Sequence, residues 1–256
     1  MNSSITNVVF IIPCYNEELR INISDYKKSI KTNTKLSIYF IDDGSKDGTV
    51  STLEPLRELY PDQVNIVSLK RNSGKAEAVR IGLKEAMKSE KEFNFLGFLD
   101  ADLATSLDEA MRLSNILEHK KLHMVFGSRI SMVGSIISRN KYRHVAGRVI
   151  ATFISNILKL RVYDTQCGAK FFSRELAAAI FNEPFISRWL FDVEIFARIL
   201  CDKDRFNENK ILEVPLKNWV DKDGSKVELN YMFKLFFDLN KIRKTYPMLK
   251  VRPNLH

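Results

Sequence analysis

The chain of 256 residues is poor in the features that mark several common protein classes. It has three cysteines, Cys14, Cys167 and Cys201, widely spaced and odd in number, so neither a disulfide framework nor a thiolate metal site is expected, and reduced thiols in a cytoplasmic protein are. Its four histidines, His119, His123, His144 and His256, lack ligand spacing. No apolar run approaches the roughly 18 residues of a transmembrane helix. Met1-Asn2-Ser3-Ser4 lacks the basic-then-apolar layout of a secretory signal. There is no Gly-x-Gly-x-x-Gly after the first predicted strand and no Gly-x-x-x-x-Gly-Lys-Ser/Thr, which removes the main support for a dinucleotide fold or a P-loop. Internal repeats and low-complexity segments are absent.

What remains is a globular composition, 45% hydrophobic and 28% charged, with a formal net charge of +9. That charge implies an anionic partner or surface. It is spread along the chain and no nucleic-acid module accompanies it, so nucleic acid is not the expected partner.

Short apolar runs alternate with helical segments. Strands are predicted over 8–13, 36–41, 64–69, 95–99 and 122–126, with a late one over 211–215. Helices are predicted over about 17–31, from Asp47 as N-cap to about 59, over about 75–88, and after Ser106, whose partner Glu109 has capping-box spacing. Such alternation gives βαβ units and an α/β fold, a doubly wound, mainly parallel sheet. Residues 128–165 carry long helical character and a final helix runs from Leu229 to about Tyr246.

The apolar run Phe95–Leu99 ends in Asp100-Ala101-Asp102. Ligands bind open α/β sheets beyond the carboxyl ends of their strands. Two carboxylates there suit Mg²⁺ or Mn²⁺ held on a diphosphate, because such cations take one or two carboxylates and complete their shell with phosphate oxygens. Pro13-Cys14-Tyr15-Asn16-Glu17 leaves strand one and Asp42-Asp43-Gly44-Ser45 leaves strand two, so three strand ends converge on one crevice. A carboxylate there can accept from a pyrimidine N–H or a ribose hydroxyl.

With Asn72-Ser73-Gly74-Lys75, these segments resemble, in order and spacing, the inverting nucleotide-sugar transferases of glycosyltransferase family 2, which have the GT-A fold. Gly127-Ser128-Arg129, Asp164-Thr165-Gln166-Cys167-Gly168-Ala169-Lys170-Phe171-Phe172, Arg188-Trp189-Leu190-Phe191-Asp192-Val193-Glu194 and Gly224-Ser225-Lys226 narrow the likeness to dolichyl-phosphate β-glucosyltransferases and related polyprenyl-phosphate sugar transferases. The resemblance implies a Rossmann-like GT-A domain over 1–226, with a nucleotide-sugar half at about 7–127 and an acceptor half at about 128–226, followed by a C-terminal amphipathic helix and tail over 227–256. It implies transfer of a hexose, glucose before others, from a UDP-sugar to dolichyl or undecaprenyl phosphate. The alternative is a saccharide acceptor in surface polysaccharide synthesis. A non-catalytic nucleotide-sugar binder is the other reading, against which both Asp100 and Asp102 speak.

Residue by residue, the resemblance puts Pro13, Tyr15, Glu17, Asp43, Lys75, Asp100 and Ala101 around the nucleotide sugar. Asp43 holds the uracil, and Asp100 and Asp102 meet the metal. Arg129 and Arg143 grip phosphate. Asp102, Asp164, Arg129 and Arg143 form the catalytic set, with Asp164 favoured over Asp192 and Glu194 as the carboxylate near the acceptor. Asp192 and Glu194 serve equally as the acidic start of a helix, and the basic run from Arg139 to Arg148 as a solvated helix face. Leu103 stands where members often have Gly, and Ala169 where they have Phe. Eukaryotic members carry an N-terminal membrane anchor; none is read here. The final helix, with Phe236 and Phe237 beside Lys241, Arg243 and Lys244, reads either as an interfacial membrane helix or as one packed on the catalytic domain. The first reading makes the protein peripheral on the cytosolic face of a membrane.

Overall fold

In the computed structural model, residues 7–89, 92–138, 141–220 and 229–251 are described, without the side chains of 141–146, 149, 229–234 and 250. Each apolar run becomes a strand: β1 (Val8–Cys14), β2 (Leu36–Asp42), β3 (Val64–Ser68), β4 (Phe95–Phe98) and β5 (Met124–Ser128). Three short ones follow, β6 (Ile136–Ser138), β7 (Lys170–Ser173) and β8 (Ile211–Pro215), and then β9 (Asn218–Val220). The helices are α1 (Ile23–Thr32), α2 (Thr49–Leu59), α3 (Lys75–Lys88), α4 (Leu107–His119), α5 (Lys141–Leu158), α6 (Arg174–Ile180), α7 (Phe191–Cys201), α8 (Leu229–Thr245) and α9 (Met248–Val251).

The main sheet has the order β3-β2-β1-β4-β7-β5-β8, and β6 pairs with β9 beside it. All pairings are parallel except those of β7, which runs antiparallel between β4 and β5. Side chains alternate across the pleat. In β1, Val8, Phe10 and Ile12 enter one buried cluster with α1, α2 and α4. Val9 and Ile11 enter the other, with α3, α5, α6, α7, α8 and α9. The result is a three-layer α/β/α arrangement whose strands are buried on both faces, which is why they read as continuous apolar runs. Phe171 and Phe172 of β7 are fully buried on opposite faces. Truncating either to Ala would cost about 3–5 kcal/mol.

Several details differ from the sequence expectation, among them the unpredicted strands β6 and β9, while the final helix follows the packed one of its two readings. The first helix starts at Ile23 rather than Glu17, because Asn22 caps it by accepting from Ser24 N (3.1 Å), while residues 17 and 18 are drawn into the β1 loop. The N-cap of α2 is Gly48 rather than Asp47, although Asp47 Oδ1 still accepts from Thr49 N at 3.1 Å. β7 is not among the predicted strands: its first residue is a lysine. The final helix packs Leu235, Leu239 and Ile242 into the core and turns Phe236 and Phe237 outward. Ser106 caps α4 as expected, accepting from Glu109 N.

A candidate active site at the carboxyl ends of the strands

The loops after β1 and β2 are stitched together. Asn16, in the left-handed region at φ 53°, accepts from Lys46 N (2.9 Å) and donates its own N–H to Ser45 Oγ. Asn tolerates that conformation better than most residues. Glu17 N donates to Thr49 Oγ1 (2.8 Å), and Gly48 N donates to Glu18 Oε2 (2.9 Å). Tyr15 is left exposed and Pro13 half-buried on the rim.

Asp43 is buried and clasps the next loop: its Oδ1 accepts from Ser73 N and its Oδ2 from Gly74 N, both at 2.7 Å. Each oxygen keeps a second lone pair. Burial raises its carboxyl, and these two bonds and the charge of Arg188 work against that rise. Gly74 has φ +95°, which favours glycine, and a Cβ there would stand 3.2 Å from the Arg188 side chain, which would have to give by a few tenths of an ångström. It leads into Lys75, the first residue of α3, whose Nζ donates to Asp100 Oδ1 at 2.5 Å.

Asp100 and Asp102 emerge from β4, with the buried Ala101 held between them by Tyr26 Oη–H donating to its carbonyl (2.9 Å). Burial works to raise the Asp100 carboxyl, but Lys75, Arg129 and Lys170 outweigh it and hold it below its usual value. Gly168 presses on this carboxylate: a Cβ there would overlap Asp100 Oδ2. Asp102 Oδ1 accepts from Ala104 N (3.0 Å), and its Oδ2 is met by Arg20 Nη2 (2.5 Å), whose Nη1 reaches Glu17 Oε1 (2.9 Å). Burial and the neighbouring Asp100 raise the Asp102 carboxyl. Glu17 is pushed up to about 7 by burial, opposed by Arg20 and reinforced by Asp102 and Asp100.

This donor set suits a hard divalent cation. It offers the oxygens of Asp102 and Asp100; the buried Glu17 Oε2 has no hydrogen-bond partner among the described residues but does not make a third ligand with them. No group of three His, Cys, Asp or Glu side chains is placed to hold a metal among those residues. Mg²⁺ completes its shell with substrate phosphates in such sites.

Across the crevice, Arg129 and Asp164 form a bidentate pair, Nε to Oδ2 at 2.6 Å and Nη2 to Oδ1 at 2.8 Å. Asp164 also accepts from the backbone of Arg129 and Gln166. Burial would raise Asp164, but Arg129 overrides it and takes the carboxyl down to about 2, which makes it a weak base. The Arg129 guanidinium lies 5.3 Å from the Trp219 ring, and Glu213 holds the Asp164 loop through Tyr163 N and Asp164 N, both at 2.7 Å. A cavity of about 30 Å³ adjoins the pair, lined by Arg129, Arg148, Tyr163 and Thr165. Arg143 lies in α5, but its side chain falls outside the described residues, as do Gly224, Ser225 and Lys226.

The structure thus brings Pro13, Tyr15, Glu17, Asp43, Lys75, Asp100, Ala101 and Asp102 to the ends of β1, β2 and β4 and the loop after β3, and sets Arg129 with Asp164 at the ends of β5 and the loop before β7. Sequence reading missed Arg20 and the buried Lys170, whose Nζ donates to Asp192 Oδ1 (2.5 Å) and Cys167 O (2.6 Å). A lysine directly before two phenylalanines, with an unassigned Asp192 at a helix start, was the available signal for the second. Glu194, the other carboxylate candidate, is fully buried and bonded to Ile186 N, Arg198 and Tyr246.

The family model described as "Glycosyl transferase family 2" matches residues 9–181, more than half of the chain. The dolichyl-phosphate beta-glucosyltransferase of Dictyostelium discoideum is 33% identical over 251 residues, covering 92% of this chain and 73% of that protein. Its Saccharomyces cerevisiae namesake is 32% identical over 269 residues, covering 95% and 76% respectively. The crystal structure of Mycobacterium tuberculosis glucosyl-3-phosphoglycerate synthase in complex with Mn²⁺, UDP and glucosyl-3-phosphoglycerate is similar with a TM-score of 0.65 at 17% identity, over 97% of this chain and 81% of that one. At that identity the likeness speaks for the GT-A fold. Among the described residues, no helix is long and apolar enough to cross a membrane.

Proposed function

The chain belongs to glycosyltransferase family 2, and from that premise we propose that it transfers glucose from UDP-glucose to the phosphate of a long polyprenol, dolichyl or undecaprenyl phosphate, with inversion at the anomeric carbon. The observation that carries this reading is Asp100 and Asp102 at the mouth of the sheet, beside Lys75 and facing the Arg129–Asp164 pair. Similarity to named dolichyl-phosphate beta-glucosyltransferases over most of the chain supports glucose as the sugar and dolichyl phosphate as the acceptor.

An oxygen of the acceptor phosphate forms the new bond to the sugar's anomeric carbon. The bond from that carbon to the β-phosphate oxygen breaks, and UDP departs with the electron pair. A phosphate monoester is already anionic at neutral pH, its second pKa being about 6, so no proton has to be removed. Asp164 then acts by orienting Arg129. Arg129 Nη1 has no hydrogen-bond partner among the described residues and remains for the acceptor phosphate. Pro13, Tyr15, Glu17, Asp43 and Ala101 line the nucleoside side. Asp100 and Asp102 hold Mg²⁺ or Mn²⁺, which when bound supplies Lewis-acid stabilisation of the leaving diphosphate. Arg20 balances the charge of Asp102 before the donor arrives.

The reading also makes the protein peripheral on the cytosolic face of a membrane. Exposed Phe236 and Phe237 on α8 lie beside exposed Lys241, Arg243 and Lys244. Aromatic contact area with basic residues suits an anionic lipid surface.

The test is a donor and acceptor screen with Mg²⁺ or Mn²⁺ over UDP-, GDP- and TDP-sugars, with the product extracted into organic solvent. UDP-glucose with polyprenyl phosphate is expected to lead. A GDP-sugar preference would overturn the donor, and product confined to the aqueous phase with an oligosaccharide acceptor would overturn the lipid.

A further inference from the structure

The segment between α6 and α7 carries Arg188 to the rim of the donor pocket, and its backbone is fastened just before that residue by the C-terminal helix region. Ser187, buried at 2% exposure, donates its hydroxyl to Asp238 Oδ2 of α8 (2.5 Å) and accepts from Trp189 N (3.2 Å) and Leu190 N (2.9 Å). One step upstream, Ile186 N donates to Glu194 Oε2 (2.7 Å), and Glu194 Oε1 accepts from the hydroxyl of Tyr246, just past α8 (2.8 Å). Arg198 closes the clasp with bonds to the carbonyls of Ile180, Glu183 and Pro184. Two side chains from the far end of the sequence therefore help to fix this loop, together with Arg198 and the packing of Phe185 on Phe181 and Phe191.

That loop holds Arg188 over the start of α3. Its aliphatic stem packs on Gly74, where a Cβ would come within 3.2–3.3 Å of it. The guanidinium is exposed and has no hydrogen-bond or ion-pair partner among the described residues. Lys75 lies next to Gly74, and no side chain caps the N-terminus of α3. Asp43 already takes the N–H groups of Ser73 and Gly74, so it is the two cations, Lys75 on Asp100 and the unpaired Arg188, that make a place for a multiply charged anion. In the nucleotide-sugar crevice that anion is the donor's diphosphate.

We propose that Arg188 contacts the diphosphate of the donor, and that Asp238 of the C-terminal helix is a positioning residue that holds Arg188 there through Ser187. The proposal rests on the nucleotide-sugar reading above. It couples α8 to the donor pocket, so that whatever seats or loosens this helix also sets the affinity for donor.

Calorimetric titration of the full chain with UDP and Mg²⁺ tests it without turnover. Arg188→Ala is expected to weaken UDP binding about tenfold or more, the loss of a charge-assisted contact. Asp238→Ala is expected to weaken it about fivefold, the low end of coupling between separated sites. Asp238→Asn keeps an acceptor for Ser187 and is expected to bind within about twofold of wild type, on the same scale. In the Arg188→Ala background, Asp238→Ala is expected to add nothing, because both act through one guanidinium. Additive losses, or unchanged UDP affinity in Asp238→Ala, would overturn the positioning role. If Asp238→Ala does not fold, Tyr246→Phe carries the same cycle. A folded wild-type chain that binds no UDP would overturn the functional reading itself, whereas UDP binding with additive losses leaves that reading intact.

Discussion

Replacing Gly168 by alanine sets a methyl group on the carboxylate of Asp100. The built Cβ overlaps Oδ2 and lies 2.5 Å from Cγ and 2.9 Å from Oδ1, so the side chain must swing away, taking its bond to Lys75 with it. Ordinary contact needs a shift of about 1 Å or more, and a misplacement of that size at a reacting centre lowers turnover about 10²-fold. This corresponds to about 2.7 kcal/mol of lost transition-state stabilisation. The fold itself should survive, since overpacking by one methyl costs about 1–3 kcal/mol. For a chain of this size that is a fall of roughly 2–12 °C in Tm. The assay is kcat/KM for UDP release with Mg²⁺, alongside thermal unfolding. Asp100→Ala makes room for the methyl, so Gly168→Ala should lower Tm in the native background and not in Asp100→Ala. Activity within threefold of wild type, or an equal loss of Tm in both backgrounds, would refute the steric reasoning.

Chelation by EDTA should abolish transfer, with Mg²⁺ or Mn²⁺ restoring it; Asp102→Ala should fall by at least about 10²–10³-fold and not recover with added metal, and undiminished turnover would remove the metal role. Arg129→Ala leaves Asp164 buried without its partner and should cost about 3–5 kcal/mol in denaturant unfolding; a loss below about 1 kcal/mol would show the pair to be dispensable. Asp164 has a lowered carboxyl in the folded chain, so its stabilisation is complete above the unfolded value of about 4 and is lost as pH falls towards about 2. The Tm gap between wild type and Asp164→Asn should therefore close across that window, and a gap independent of pH would contradict the assignment. In flotation with anionic vesicles at low salt, wild type should rise with the lipid and a variant with Lys241, Arg243 and Lys244 changed to Glu should not; equal flotation would detach α8 from the membrane.

The first half of the fold was legible because strands buried on both faces leave continuous apolar runs, and between residues 8 and 126 such runs alternate with helices and turn chemistry. β7 was not, since Lys170 opens it and the charge of Asp192, remote in sequence, together with Cys167 O makes that lysine tolerable in the core. The acid pair was legible as a motif, but its partner was not: Arg20 stands 82 positions from Asp102, and only the folded β1 loop brings the two together. In α8 the apolar stripe was visible. The direction it faces depends on neighbours that periodicity cannot name, and Leu235, Leu239 and Ile242 proved to face the domain. Asp164 illustrates the same limit, because a carboxylate near an acceptor and a carboxylate locked by a bidentate arginine look alike in a string of letters.

Because β7 lies between β4 and β5, the sheet has a gap at its centre until a late piece of chain fills it. On the ribosome, β4 and β5 would wait as unsatisfied edges while some forty further residues are made, and edges of that kind recruit other chains. The nascent protein should therefore depend on chaperones most strongly just before Lys170–Ser173 emerges, and a fragment ending near residue 127 should aggregate rather than fold.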